Sequence, residues 1–357
     1  MLDTGAPSTN ATGRLGDGKQ GGNYIPRVCA RPMAKFPSHR IINLESGDTA
    51  DRVATHVGLL NLPYALSVLN RRGYASTTRK GVPLVFRCKV DHHMVDESGN
   101  TPPTALGADF ASVLTIDGCQ NNWVMRNAAV KFHAAREQMF KDAGVSKGQR
   151  GAYSHEIRYN FDSAGDAWME PKDATGTDFT GGTWDASALS YSNDSSFQLG
   201  LVGTGDDEDA DAFAGSYLSI GHSYLVSRQN LDDDTNRDAE DPPAKFSVLQ
   251  KMLSMGSVAA ASGNEDNIVA TSRGEQDNPP YEVLDLSASG DTGHDITRKV
   301  ELGRAVVGQG NTVGSCIVEI PFGICSLDTY FEDAADTDTT LRSFIRVEVQ
   351  DIYEMTG

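Results

Sequence analysis

Proline is scarce, cysteine is scarcer, and no stretch of this 357-residue chain stays apolar for long. Fourteen prolines against 36 glycines exclude a collagen-like or proline-rich linker chain. The five cysteines, Cys29, Cys88, Cys119, Cys316 and Cys325, form an odd set with no CxxC pair. That excludes a zinc ribbon and a full disulfide framework, and predicts reduced, buried thiols. No run reaches the roughly 18 apolar residues that a membrane span needs, and the opening MLDTGAPSTNATGRLGDGKQGG carries no apolar signal region. A soluble product of cytoplasmic synthesis is expected. Positive charge is also short, with 31 Lys and Arg against 49 Asp and Glu and a net charge of -18. Such a chain is poorly suited to gripping phosphate backbones, whose affinity rests on Lys and Arg displacing counterions. The GxSxG match at Gly144 to Gly148 (GVSKG) follows the expected helix rather than a strand and so is no nucleophile elbow, no HExxH zinc motif occurs, and Gly16 to Gly22 (GDGKQGG) lacks the Lys-Ser or Lys-Thr that closes a phosphate loop.

Period-two alternation is what the chain has in quantity. From Pro83 to Val95, Leu84, Phe86, Cys88, Val90 and Met94 face one way and Arg87, Lys89, Asp91 and His93 the other, which predicts a strand with one buried face. Similar runs fall at Ser112 to Ile116, Glu156 to Phe161, Phe197 to Val202 and Leu218 to Val226. Others follow at Tyr281 to Leu286, Lys299 to Val307, Ser315 to Ile320 and Ile345 to Val349. With roughly a dozen strands and no alternation with helices, a mainly β, antiparallel sandwich is expected rather than a parallel α/β fold. Helices are expected at Asn122 to Ala143, where Asn122 caps and Met125, Ala128, Phe132, Ala135 and Met139 recur at steps of three and four, with Gly144 as the stop. Shorter ones are expected at Ala244 to Met255 and Pro63 to Arg72.

The chain divides on composition into a mildly basic, flexible arm at 1–40, a first β domain at 41–203 holding the long helix, and a second at 204–357. From Gly200 to Asp295 there are 19 Asp and Glu against 5 Lys and Arg, so 5 minus 19 leaves -14 in that stretch.

Candidate sites are few. His92 and His93, beside Asp91 and Asp96, are neighbours on a strand and face opposite sides, so they cannot share one metal ion. His133 and Arg136 are expected as surface or inter-subunit contacts, and His222 as a core histidine on a strand. The carboxylates of Gly205 to Asp211, Asp232 to Asp234 and Asp238 to Asp241 form self-repelling solvated loops. Ca²⁺ is the one cofactor they bring to mind, without the ligand order of an EF-hand. Arg126, Lys131, Arg136, Lys141, Lys147 and Arg150 make the long helix and its end a basic island, read as a solvated face that could alternatively meet nucleic acid or a neighbour's acidic loop. No catalytic, cofactor-binding or metal residue is assigned.

The segments NNWVMRNAAVKFHAAREQMFKDAGV (Asn121 to Val145), TVGSCIVEIPFGICSLDTYF (Thr312 to Phe331) and SFIRVEVQDIYEM (Ser343 to Met355), together with the polar arm and serial strands, resemble the jelly-roll major capsid proteins of small DNA viruses and bacteriophages. That resemblance implies a jelly-roll sandwich and a structural protein that is not an enzyme. Its partners would be copies of itself in trimers and an icosahedral shell, other virion proteins, and an internal membrane or packaged genome, with no small-molecule substrate. Its location would be the virion. Within the family the weak arm and acidic balance favour the double jelly roll, two in tandem. Two other readings remain: a carbohydrate-binding sandwich using Trp123, Trp168 and Trp184, and a hydrolase on the same scaffold.

Overall fold

Eight of the strands pair in a nested order, the first with the last, the second with the last but one, and so inward. They are seen in a computed structural model that describes residues 37–49, 56–96, 111–151, 156–163, 165–173, 175–182, 184–191, 195–203, 217–229, 298–308, 313–332 and 341–356. The described residues belong to one compact unit. In chain order the elements are β1 (Ile41–Thr49), β2 (His56–Asn61), α1 (Leu62–Asn70), β3 (Leu84–Asp96), β4 (Ala111–Gly118) and α2 (Trp123–Asp142). Then come β5 (Ala188–Tyr191), β6 (Ser195–Gly200), β7 (Tyr217–Ser219), α3 (Ile220–Gln229), β8 (Val300–Gly308), β9 (Val313–Pro321), β10 (Ile324–Glu332) and β11 (Leu341–Glu354).

One sheet runs β1-β11-β3-β9 and another β2-β10-β4-β8, with every pairing in them antiparallel. Both draw strands from either side of the expected division at 203/204: β3 bonds β9 and β11, and β4 bonds β8 and β10. The two sheets share a core of Ile42, Leu44, Phe86, Cys88, Val90, Val318, Ile345 and Val347 from the first and Leu60, Leu114, Ile116, Ala305 and Leu327 from the second. Alternation explains it: in β4 every second residue is buried, so one face of each strand is withdrawn from water at about 25 cal/mol per Å² of apolar surface.

A second layer sits at one end. There α2, α3 and the small sheet β5-β6-β7, whose β6–β7 pair is parallel, pack around Phe132, Tyr159, Phe161, Phe197 and Leu218. Val85, Phe322, Ile324 and Met355 reach into this cluster from the main sheets and join the layers. The helix α2 starts where Asn122 Oδ1 accepts from Met125 N at 2.9 Å. It stops in a Schellman arrangement, Val145 N donating to Phe140 O and Gly144 N to Lys141 O, with Gly144 at φ 68. In α1, Asn61 caps the start through Tyr64 N.

Two expectations change, and others fall outside the described residues. The run from Leu218 to Val226 is not a strand: β7 ends at Ser219 and α3 begins at Ile220. The alternating apolar residues also place Ile220 and Tyr224 four apart on one helix face, and Tyr224 meets Trp123 of α2, while Ser219, Ser223 and Ser227, all buried, recur at the same step. The run from Glu156 to Phe161 keeps Ile157, Tyr159 and Phe161 inward, yet it makes one bridge, Asn160 to Gly200, rather than a strand. The expected helix at Ala244 to Met255, the strand at Tyr281 to Leu286, Cys29 and the first 36 residues lie outside the described residues. No described helix is long and apolar enough to cross a membrane.

Candidate functional site

The two adjacent histidines of β3 divide as strand geometry requires. His92 points into the shared core at 0% exposure, its Nε2 lying 2.7 Å from the Ser343 hydroxyl, with the Ala305 backbone beside the ring. Burial, aided by the field of His93, pulls its pKa down to about 4, so the ring is neutral at pH 7. His93 lies on the outer face, edge-on to Phe344 at 6.3 Å between ring centroids. Asp91 accepts from Ser315 at 2.6 Å and pairs with Lys89 at 2.9 Å. Burial raises its carboxyl, but these partners outweigh it and hold the group below the usual range. A serine hydroxyl beside a histidine resembles a nucleophile and its base, yet Ser343 is also fully buried, so no substrate reaches this pair. Among the described residues no group of three or more His, Cys, Asp or Glu is arranged to hold a metal ion.

The basic island of α2 is largely spent within the chain. Arg126 Nε donates to Met355 O at 3.2 Å, Arg136 donates to Glu156 O, and Arg150 makes two bonds to Glu137 at 2.8 and 2.9 Å while lying over the Phe140 ring. His133, expected at the surface, is buried because the turn at Gly81 presses on it. The corresponding correction for His222 is its place on α3, half-buried rather than in a strand core. The acidic loops 205–211, 232–234 and 238–241 lie outside the described residues, and with them any calcium site.

The tryptophans also serve the chain itself. Trp123 of α2 meets Tyr224 of α3 edge-on at 6.4 Å, and Arg158 lies 4.4 Å over the Trp184 ring, which in turn tilts against Tyr64 at 5.8 Å. Trp168 bridges to Leu59 on β2, Met169 N donates to Leu59 O, and Lys172 N donates to Asn43 O on β1. The segment 166–173 is therefore a strap laid across the open edges of β1 and β2, and it blunts both against stray pairing. Tyr64 donates to Glu170 at 2.6 Å within it, and burial together with that carboxylate pushes the phenol up.

Sequence reasoning missed one ionic cluster. On the outer face of the second sheet, Lys299 Nζ lies 3.0 Å from Asp328 of β10 and 3.7 Å from Asp117 of β4. Burial, and the nearby Asp328 and Glu301, raise the Asp117 carboxyl although Lys299 opposes them. Burial works against the Lys299 charge, but Asp328, Asp117 and Asp162 more than offset it and hold the ammonium above its ordinary value. Only cross-strand register brings these residues together, so nothing local announces them. Cys88, Cys119 and Cys325 are buried free thiols and Cys316 a half-buried one; burial pushes Cys119 up to about 12, which leaves it unreactive.

Comparison with known proteins returns nothing: no family model, no curated protein and no solved structure matches this chain.

Proposed function

We propose that this chain is a structural protein that works by packing against copies of itself, a jelly-roll major capsid protein of the kind its sequence resembles. The observation that carries the reading is the nested pairing, β1 with β11, β2 with β10, β3 with β9 and β4 with β8, split alternately between two antiparallel sheets over one core. Winding one long hairpin across two facing sheets produces that order, and it is the order of an eight-stranded jelly roll. One jelly roll with a long insertion between β4 and β8 accounts for it better than two in tandem, since each sheet needs strands from both halves.

The fold alone is shared with lectins and enzymes, so the remaining support comes from the sites. The three tryptophans expected to stack on a sugar are engaged in contacts with Tyr64, Tyr224, Arg158 and Leu59, and the Ser343–His92 pair is sealed in the core. A block whose β1 and β2 edges are covered suits an assembly in which modest contacts are repeated by symmetry. Light scattering on the eluting full-length chain, followed by negative-stain microscopy of any heavy fraction, tests it. Trimers or closed shells are expected; a strict monomer at high concentration and across salt overturns the reading and directs attention to tryptophan fluorescence with sugars.

A further inference from the structure

Between Asp51 and Asp91 the chain has no acidic residue, in a protein with a net charge of -18. Four of the cations in that interval, Arg71, Arg72, Arg79 and Lys80, are exposed on the link between α1 and β3, and none has an ion-pair partner among the described residues. This differs from α2, whose arginines are consumed by carbonyls and Glu137.

The link is held firmly. Thr78 N donates to Val82 O at 2.7 Å, Gly81 N to Thr78 O at 2.9 Å, and Val82 N to the Thr78 hydroxyl at 3.2 Å, closing a turn that presents Arg79 and Lys80. Gly81, at φ 81, backs onto His133 so closely that an added Cβ would lie 2.4 Å from it. At the other end Asn70 Oδ1 accepts from Ser38 Oγ and His39 N at 2.8 Å each, pinning the incoming chain to the end of α1. Cations favour a helix C-terminus, which accounts in part for Arg71 and Arg72. It does not account for Arg79 and Lys80, which serve no helix.

We propose that this corner is a docking surface for the acidic stretch of a second copy of the chain, the sequence around Asp206, Asp207, Glu208 and Asp209. The proposal rests on the self-association reading above and names the contact that reading lacks. Charge complementarity selects the occupant: the interval 200–295 carries -14, by the count of 5 against 19, and the link between α1 and β3 presents four exposed cations with no ion-pair partner among the described residues. Opposite fields of this kind steer encounter and set register more than they add affinity, and they weaken as salt shortens the screening length below about 10 Å. A polyanion such as nucleic acid matches the corner's charge as well, and the net charge of -18 opposes the long-range approach of either, so the two occupants are separated by the binding measurements below.

The test uses the full-length chain in sedimentation velocity. Wild type is expected to associate at about 0.05 M NaCl and to weaken at about 0.5 M. The fourfold variant Arg71→Glu, Arg72→Glu, Arg79→Glu, Lys80→Glu should lose at least about tenfold in association, with an unchanged melting curve, while Lys141→Glu on α2 changes nothing. The fourfold variant Asp206→Lys, Asp207→Lys, Glu208→Lys, Asp209→Lys should fail alone, and an equimolar mixture of the two charge-reversed proteins should regain mass. If the corner variant associates like wild type, or the mixture stays at 38.3 kDa, this inference is wrong while self-association stands. Wild type that is monomeric in every salt removes both. Loss of binding to a labelled single strand of about 30 nucleotides, with association intact, assigns the corner to nucleic acid and overturns the proposal.

Discussion

The Ser343 hydroxyl of β11 touches Nε2 of His92 on β3 across 2.7 Å, and the pair lies in the core shared by the two sheets. Ser343 does not sit opposite His92 in the ladder, where Ile345 is its partner; it reaches along the inner face from two residues away. A neutral imidazole can take part in this contact, but among the described residues no carboxylate acts on an imidazolium there.

That arrangement predicts a pH dependence. The folded state holds the His92 pKa near 4 against 6.5 for a free histidine, so the unfolded chain binds the proton more readily between those values. Stability from this group is complete above pH 6.5 and is lost as pH falls toward 4, by about 3 kcal/mol over that window. Urea midpoints of wild type and His92→Gln at pH 7 and pH 4.5 check it: the variant should show a flatter dependence, and an equal slope in both removes His92 as the cause.

The corner between β9 and β10 turns on Phe322 and Gly323, at φ 58 and φ 70, with Gly323 N donating to Ile320 O. Phenylalanine is an unusual residue for the left-handed position of such a turn. Its ring, fully buried and edge-on to Tyr159 at 5.3 Å, offsets the strain. Phe322→Gly should therefore destabilise by roughly 2–4 kcal/mol despite relieving the backbone. Gly323→Ala should cost about 2–4 kcal/mol, because its methyl would stand 2.8 Å from Phe86 and Pro63 at an unfavourable φ. Thermal melts of both variants read these losses.

At the head of α2, Asn122→Ala removes the side-chain acceptor for Met125 N and should cost about 1 kcal/mol, with Asn122→Asp or Asn122→Ser nearly neutral. Equal losses in all three would mean that packing, not capping, is at stake.

Lys299→Gln leaves Asp117 and Asp328 facing each other without their cation. A loss of roughly 1 kcal/mol at pH 7 is expected, kept small because the lysine is partly exposed. Since the penalty is repulsion between carboxylates, it should shrink as pH falls through the raised titration of Asp117, and a loss independent of pH would rule that origin out.

Legibility tracked how local the deciding interactions are. In β3, β4 and β11 one face is buried and the other wet, so alternation at Phe86, Cys88 and Val90 or at Ile345, Val347 and Val349 announces them. Caps at Asn122 and Gly144 likewise bound α2 within a few residues. The strand β2 has no such contrast, because the strap covers its outer side at Leu59 as the core covers Leu60. The segment with Ile220 and Tyr224 satisfies both periods, and only α2 beside it selects the helix. Pairing order has no local signal at all: β1 meets β11 some 300 positions away, and the Asp117–Lys299–Asp328 cluster exists only because of it.

The nested order has a consequence for synthesis. Strand β11 lies between β1 and β3, so sheet one has no continuous ladder until residues 341–354 have left the ribosome. Contacts of such long sequence separation also close slowly. A product that stops short of β11 leaves β1 without a neighbour and the apolar faces of Ile42 and Leu44 without Ile345 and Val347 beside them. A chain without β11 thus lacks the strand that joins β1 to the rest of its sheet.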